Sequence, residues 1–246
     1  IETNVMGTLN LLEATQELNS LRALIVVTTD KVYRNVNQVA GYREQDPLGG
    51  DDPYSASKAM ADVMTAMWFR AFPNVPAAIA RAGNVIGGGD VCQDRLIPDL
   101  VRAFSQGRAA EIRYPQAVRP WQHVLDCISG YCVLLQALLA GKGEGAWNFG
   151  PDEGSFQTVA TVADRAVNLW GPPAAWEATP GDHPHEANLL ALDATTATRE
   201  LSWQPRLRFD DAIEWTLDWY RQVAEGADAR MLTEQQVGRY VASALT

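Results

Sequence analysis

The chain has 246 residues, with 20 Lys and Arg against 30 Asp and Glu, a formal net charge of -10. That balance argues against a broad basic surface for nucleic acid, so any phosphate has to be met by a few local donors. Hydrophobic residues make up 47% and charged residues 20%, enough for a sizeable core, and no apolar run approaches the roughly 20 residues of a membrane-spanning helix. The opening stretch IETNVMGTLNLLEA has no basic segment followed by an apolar one. It does not read as a signal peptide, and a cytoplasmic location is the default expectation. Cys92, Cys127 and Cys132 are odd in number and lack C-x-x-C spacing, which points to free, buried thiols rather than a disulfide frame or a zinc site.

In chain order, Val5, Leu9, Leu12 and Ala14 fall near helical spacing, with no capping residue before Ile1. ALIVVTTD is a continuous apolar run of strand length, as expected of a parallel strand covered on both faces. A loop carrying Gly41, Pro47, Gly49, Gly50 and Pro53 follows. From Tyr54 to Phe72, Ala56, Met60, Val63, Met64 and Met67 recur at three- and four-residue steps and predict a helix. PAAIARAG reads as the next strand, leading to the turn Gly87, Gly88, Gly89, so strand, helix and strand form one crossover unit of a doubly wound α/β fold.

Beyond residue 90 the pattern is mixed. Helices are predicted around Ile97 to Ser105 and Leu125 to Leu139, and a short strand at AWNFG. FDDAIEWTLDWYRQVAEG predicts a further helix with Asp210 as its cap, and TEQQVGRYVASAL a terminal one starting at Thr233. The expected division is residues 1–90 as part of a cofactor-binding domain and 91–246 as mainly a substrate lobe, with some segments returning to the first domain.

The chemistry concentrates where the first strand ends in Thr28, Thr29, Asp30 and Lys31, followed after the Gly/Pro loop by Tyr54 and Lys58. Four residues are about one helical turn, so Lys58 shares a face with Tyr54 and its ammonium can favour the phenolate. A phenol with a pKa near 10 needs such a neighbour to accept a proton from a hydroxyl at neutral pH. Thr29 is placed to hold that same hydroxyl. A Tyr four residues before a Lys is weak alone; joined to the strand end, the pattern resembles the extended short-chain dehydrogenase/reductase family.

Within that family, TTDKVYRN, EQDPLGGDDPYSASKA, RAGNVIGGGD, DRLIPDLVRAF, AVRPWQHV, WNFGP, HPHEANLLALD and RELSWQPR resemble the nucleotide-sugar 4,6-dehydratases. The Lys31 that follows Asp30, where dTDP-glucose enzymes carry Glu, points to the CDP-glucose branch. The resemblance implies a C-terminal part of a Rossmann-type parallel sheet with a smaller mixed substrate-binding lobe, NAD as cofactor near Thr28, Tyr54 and Lys58, and CDP-glucose as substrate. It implies Thr29, Asp30, Lys31, Tyr54 and Lys58 as the catalytic set. Tyr54 takes the proton of the sugar 4-hydroxyl, Lys31 is the candidate base at C5, and Asp30 is the acid at the departing 6-hydroxyl. The same resemblance places Asn84, Arg95, Arg119, Asn148 and His185 near the sugar nucleotide, and implies a homodimer through the helices at 1–17 and 54–72. Those methionines at helical spacing fit a core equally well.

The HPHE stretch holds two of the three histidines, but its Pro-bearing loop does not read as a metal site. A Rossmann cofactor site also needs a Gly-rich turn after its first strand and an acidic residue about 20 positions on. Neither precedes Ile1, and Gly87 to Gly89 opens no G-x-G-x-x-G helix. The chain is therefore expected to start inside the fold, past the first βαβαβ half. Two other readings stay open: a sister epimerase or dehydratase acting on another nucleotide sugar, and a non-catalytic module that binds a sugar nucleotide.

Overall fold

In the computed structural model of the chain the described residues are 1–179 and 189–243. A π-helical turn, Glu2–Met6, opens into α1 (Gly7–Thr15); β1 (Leu24–Val27) runs into a 3-10 turn, Asp30–Val32. Then follow α2 (Pro53–Ala71), β2 (Ala77–Ala82), β3 (Asn84–Ile86), α3 (Leu96–Ser105), β4 (Ala110–Ile112) and β5 (Val118–His123). The chain continues through α4 (Val124–Leu139), β6 (Gly145–Phe149), β7 (Phe156–Thr158), α5 (Val159–Trp170) and β8 (Trp176–Ala178). The last elements are α6 (Thr195–Leu201), α7 (Phe209–Ala224) and α8 (Ala229–Ala242). They group into two units: Ile1–Gly83, Cys127–Gly150 and Leu190–Gln204 form the first, and Asn84–Asp126, Pro151–Leu189 and Pro205–Thr246 the second.

The first unit is built on a parallel sheet of order β1-β2-β6, with Val27 opposite Ala80 and Arg81 opposite Asn148. All six residues of β2 are buried, four of them alanines, so elements on either face can approach its backbone closely. On the α4 side the core is Leu134, Leu138, Trp147, Phe149 and Trp203. The Phe149 ring meets Trp203 edge-on at 5.0 Å and Tyr131 at 5.5 Å.

The second unit carries a mixed sheet, β3-β5-β7, in which β3 runs parallel and β7 antiparallel to β5, and a two-stranded sheet, β4-β8. Its core joins Ile97, Leu100 and Phe104 of α3 with Val162 and Ala166 of α5 and Ile213 and Leu217 of α7. A Cβ on Gly88 would lie 2.2 Å from a ring carbon of Trp219. The glycine run after β3 thus makes room for an indole, in keeping with its failure to match a phosphate-binding turn.

The predicted strands and helices are found, with differences at their ends and faces. Asp210 is not the cap of α7: Arg208 holds that position, and Asp210 lies inside the first turn, paired with Arg165 at 2.9 Å. The terminal helix begins four residues before Thr233, because Asp228 accepts the Met231 N–H at 2.7 Å and caps it. In α1, Ala14 is exposed, while Leu12 and Thr15 are buried. The three cysteines are free, but Cys92 and Cys132 are exposed and only Cys127 is buried. No helix among the described residues is long and apolar enough to cross a membrane.

The apolar stripe of α2 faces outward. Met60, Val63 and Met67 are exposed, and the buried side consists of Ser55, Ser57, Ala59, Ala61, Asp62 and Thr65. The methionines are therefore not the core of this unit, and the helix seats a small and polar face inward.

Candidate active site

The strand end and the helix start that carry the predicted chemistry belong to the same unit. After β1 the backbone leaves the sheet through Thr28 and Thr29, and Thr29 caps the following turn by accepting the Lys31 N–H at 3.3 Å. The Thr29 hydroxyl donates to Asp30 Oδ1 at 3.0 Å. Asp30 is 2% exposed, so its carboxyl is held in a low-dielectric setting.

Tyr54 is set by the start of α2. Asp52 caps the helix, accepting the N–H groups of Tyr54 at 2.8 Å and Ser55 at 3.0 Å, and Pro53 occupies the first helical position, where a missing N–H costs nothing. Gly50 is required just before: a Cβ there would lie 2.5 Å from the backbone nitrogen of Ala56. Tyr54 remains half exposed, and the Lys31 ammonium lies 5.9 Å from its ring centroid, a cation over an aromatic face. Lys58, one turn on, donates from Nζ to the Val27 carbonyl at 3.3 Å. Burial lowers the Lys58 pKa from its ordinary value, and the Asp62 carboxylate opposes that shift.

A buried polar network, which the sequence reading did not single out, lies behind these residues. Arg81 forks onto Asp62 through Nε to Oδ2 at 2.9 Å and Nη2 to Oδ1 at 2.6 Å. Its Nη1 donates to the Tyr33 hydroxyl at 2.9 Å and the Glu44 carbonyl at 3.0 Å. Tyr33 donates to Asn148 Oδ1 at 2.6 Å, and burial pushes its phenol up to about 12 despite Arg81, so it stays a donor. The signals available were an acid four residues past Lys58 and an arginine inside an otherwise apolar strand.

The residues expected near a sugar nucleotide are spread over both units. Asn148 belongs to the first; it is fully buried, and its amide nitrogen donates to the carbonyls of Tyr42 at 2.8 Å and Asp193 at 3.2 Å. Both of its N–H donors are thus spent inside the unit. Asn84, Arg95 and Arg119 belong to the second. Arg119, buried on β5, donates to the Val118 carbonyl at 2.8 Å. Asn84 opens β3, half-buried, and Arg95 precedes α3 and pairs with Asp90 at 3.1 Å in an exposed ion pair. His185 and the rest of the HPHE stretch lie outside the described residues.

A parallel β-α-β unit with its polar constellation at the carboxyl end of the first strand is the Rossmann-like α/β class, in which ligands bind at that edge of the sheet. The likeness extends to solved structures. The chain superposes with a TM-score of 0.79 on dTDP-glucose 4,6-dehydratase from Bacillus anthracis in complex with NAD, at 28% identity over 92% of this chain and 70% of that one. With dTDP-glucose 4,6-dehydratase from Streptomyces venezuelae, with NAD and TYD bound, the TM-score is 0.76 at 25% identity over 90% of this chain and 66% of that one. Residues 1–216 match the family described as GDP-mannose 4,6 dehydratase, and the chain belongs to that family. Among curated relatives, CDP-glucose 4,6-dehydratase from Salmonella typhimurium is 40% identical over 98% of this chain and 70% of its own length.

Proposed function

We propose that this chain carries the catalytic residues of an NAD-dependent CDP-glucose 4,6-dehydratase. The carrying observation is the convergence of Thr29, Asp30 and Lys31 at the end of β1 with Tyr54 and Lys58 on the first turns of α2, the Lys31 ammonium lying over the Tyr54 ring. The first unit serves as the cofactor-binding part and the second as the substrate lobe.

The residues present suit NAD. Lys58 spends one of its three N–H donors on Val27, and with the half-exposed Tyr54 hydroxyl it offers polar groups at the carboxyl edge of a parallel sheet. Thr28 spends its hydroxyl on Asp62 at 2.8 Å and so contributes by fixing the strand end. Bound NAD supplies the chemistry these side chains lack, acceptance of a hydride from the sugar and its return to the same molecule.

The protein's own part is proton management. Thr29 holds the sugar 4-hydroxyl, and Tyr54 takes its proton. The 4-ketone acidifies the C5 hydrogen, which Lys31 removes, and Asp30 gives a proton to the departing 6-hydroxyl. Asn84 and Arg119 are the proposed contacts of the sugar nucleotide in the second unit, with Arg95 beside them; an arginine can fork onto a diphosphate. Asn148 supports the site through the Tyr33 network. The exposed apolar face of α2, with Met6 and Leu11 of the opening helix, is the proposed self-complementary surface of a homodimer. The location proposed is the cytoplasm, where free thiols persist.

The purified chain, supplied with NAD and CDP-glucose, dTDP-glucose and UDP-glucose in parallel, is expected to form the 4-keto-6-deoxy sugar from the CDP substrate. Tyr54→Phe and Asp30→Asn should each cut that rate by about 100-fold or more. An Asp30→Asn variant with the parent rate overturns the acid assignment, and conversion of another nucleotide sugar in preference to CDP-glucose overturns the substrate.

A further inference from the structure

Two residues of α2 one turn apart grip two successive positions at the end of β1. Lys58 Nζ donates to the carbonyl of Val27, and the Thr28 hydroxyl donates to Asp62 Oδ2. Asp62 is fully buried and is itself held by both arms of the Arg81 fork from β2, the strand beside β1. The segment that passes from Val27 to Lys31 is thus tied to the helix bearing Tyr54 and Lys58 by two clamps, one with the Lys58 ammonium as donor and one with the Asp62 carboxylate as acceptor, the latter anchored on an ion pair.

Stability is weak ground for this arrangement: taking two charges out of water is costly, and well-packed apolar residues of the same volume commonly do as well. What an apolar pair cannot do is specify direction: a bidentate guanidinium and carboxylate accept one mutual orientation. Here that orientation fixes both the rotation of α2 about its axis and the offset between Lys58 and the strand end. The charge also acts on Lys58, which lies one turn before Asp62 and is partly stripped of water.

We propose that Asp62 and Arg81 are positioning residues of the active site, which lock α2 against the end of β1 and keep Lys58 seated at Val27 as a cation. This rests on the reading of Tyr54 and Lys58 as the acid-base pair, but its test need not. The other charged groups on elements packed against α2 are Asp30 and Lys31 on the turn after β1 and Glu2 and Glu13 on the opening helix. None of these is altered by the substitutions below.

The experiment measures acetylation of Lys58 in the intact chain by mass spectrometry as a function of pH, with and without Asp62→Asn. Circular dichroism confirms that the variant folds. The Lys58 midpoint is expected to fall by roughly one unit, because an attractive charge disappears and Arg81 is left unneutralised nearby. In a dehydratase assay kcat should drop at least tenfold with little change in KM. An unchanged midpoint in a folded Asp62→Asn chain overturns the inference, whatever its activity. A shifted midpoint in a chain that dehydrates no nucleotide sugar upholds it and removes the proposed function instead. Should Asp62→Asn fail to fold, Thr28→Val cuts the Asp62 clamp alone. Acetylation of Lys58 at fixed pH at least threefold faster then supports the inference, and an unchanged rate overturns it.

Discussion

Acid should weaken this protein through His123. The residue ends β5 and is 1% exposed. Its Nδ1 accepts the Leu125 N–H at 3.2 Å, and its ring lies edge-on to Trp215 at 6.0 Å. An accepting Nδ1 requires the tautomer with its proton on Nε2, and that atom is buried with no hydrogen-bond partner among the described residues. Burial lowers the pKa from 6.5 to about 4. The folded state therefore keeps the ring neutral where the unfolded chain protonates it. Between those two values the unfolded state binds the extra proton, so the stability is fully present above about 6.5 and drains away as the pH falls towards 4. The gap corresponds to about 3 kcal/mol, most of it lost by about pH 4.5. Urea unfolding followed by tryptophan fluorescence, near pH 7.5 and near pH 4.5, would measure this in the parent and in His123→Phe. The variant should start about 1–2 kcal/mol lower, because the Leu125 N–H loses its acceptor, yet lose about 2.5 kcal/mol less between those two pH values. All other titrating groups are common to both chains, so the difference between the two pH slopes isolates the imidazole. Parallel slopes would refute the reasoning.

Gly88→Ala should destabilise the second unit by about 1–3 kcal/mol, since the new methyl meets the Trp219 ring at 2.2 Å and the indole has to move. A melting temperature several degrees lower is expected, and an unchanged one would show that the indole repacks freely. Val63→Glu puts a charge in the centre of the exposed α2 stripe, where Val63 is 53% exposed. Light scattering at micromolar concentration should show a dimer for the parent and a monomer for the variant, with the same circular dichroism. A monomeric parent would dispose of the dimer surface.

Much of the fold was legible because its elements obey short-range rules. The continuous apolar runs around Leu24–Val27 and Ala77–Ala82 became neighbouring parallel strands, but the expected cover on both faces holds only for the second: β2 is buried along its whole length, whereas no residue of β1, the end strand of the β1-β2-β6 order, is fully buried and Val27 is 46% exposed. Helix ends were less legible where several candidates compete for one turn. Asp228 caps α8 from a position before the expected start, and once it is in place Thr233 lies one turn inside, donating to the Ala229 carbonyl and accepting the Trp219 N–H at 3.0 Å. The two short strands β4 and β8 had no sequence signal: each has three residues, and only their pairing across more than sixty positions of chain defines them.

The proposed catalytic set could be picked out because its members fall in two tight clusters, 28–31 and 54–58, where spacing alone decides which side chains share a face. Asp62 and Arg81 form a contact across 19 positions, beyond the reach of spacing, but each is a misfit in its own setting. Arg81 interrupts a strand that is otherwise alanine and isoleucine, and Asp62 falls on the helix face opposite the methionines. A buried charge without a partner is prohibitive, so two misfits of opposite sign on consecutive elements of one strand-helix-strand unit imply each other. That pairing also explains the rotation of α2. Hydrophobic periodicity by itself would turn Met60, Val63 and Met67 inward, yet β2 presents an arginine, and only the Asp62 face can meet it. The small residues flanking Asp62 then let the helix approach the sheet closely. The apolar stripe is left outward, where a second copy of the chain can bury it.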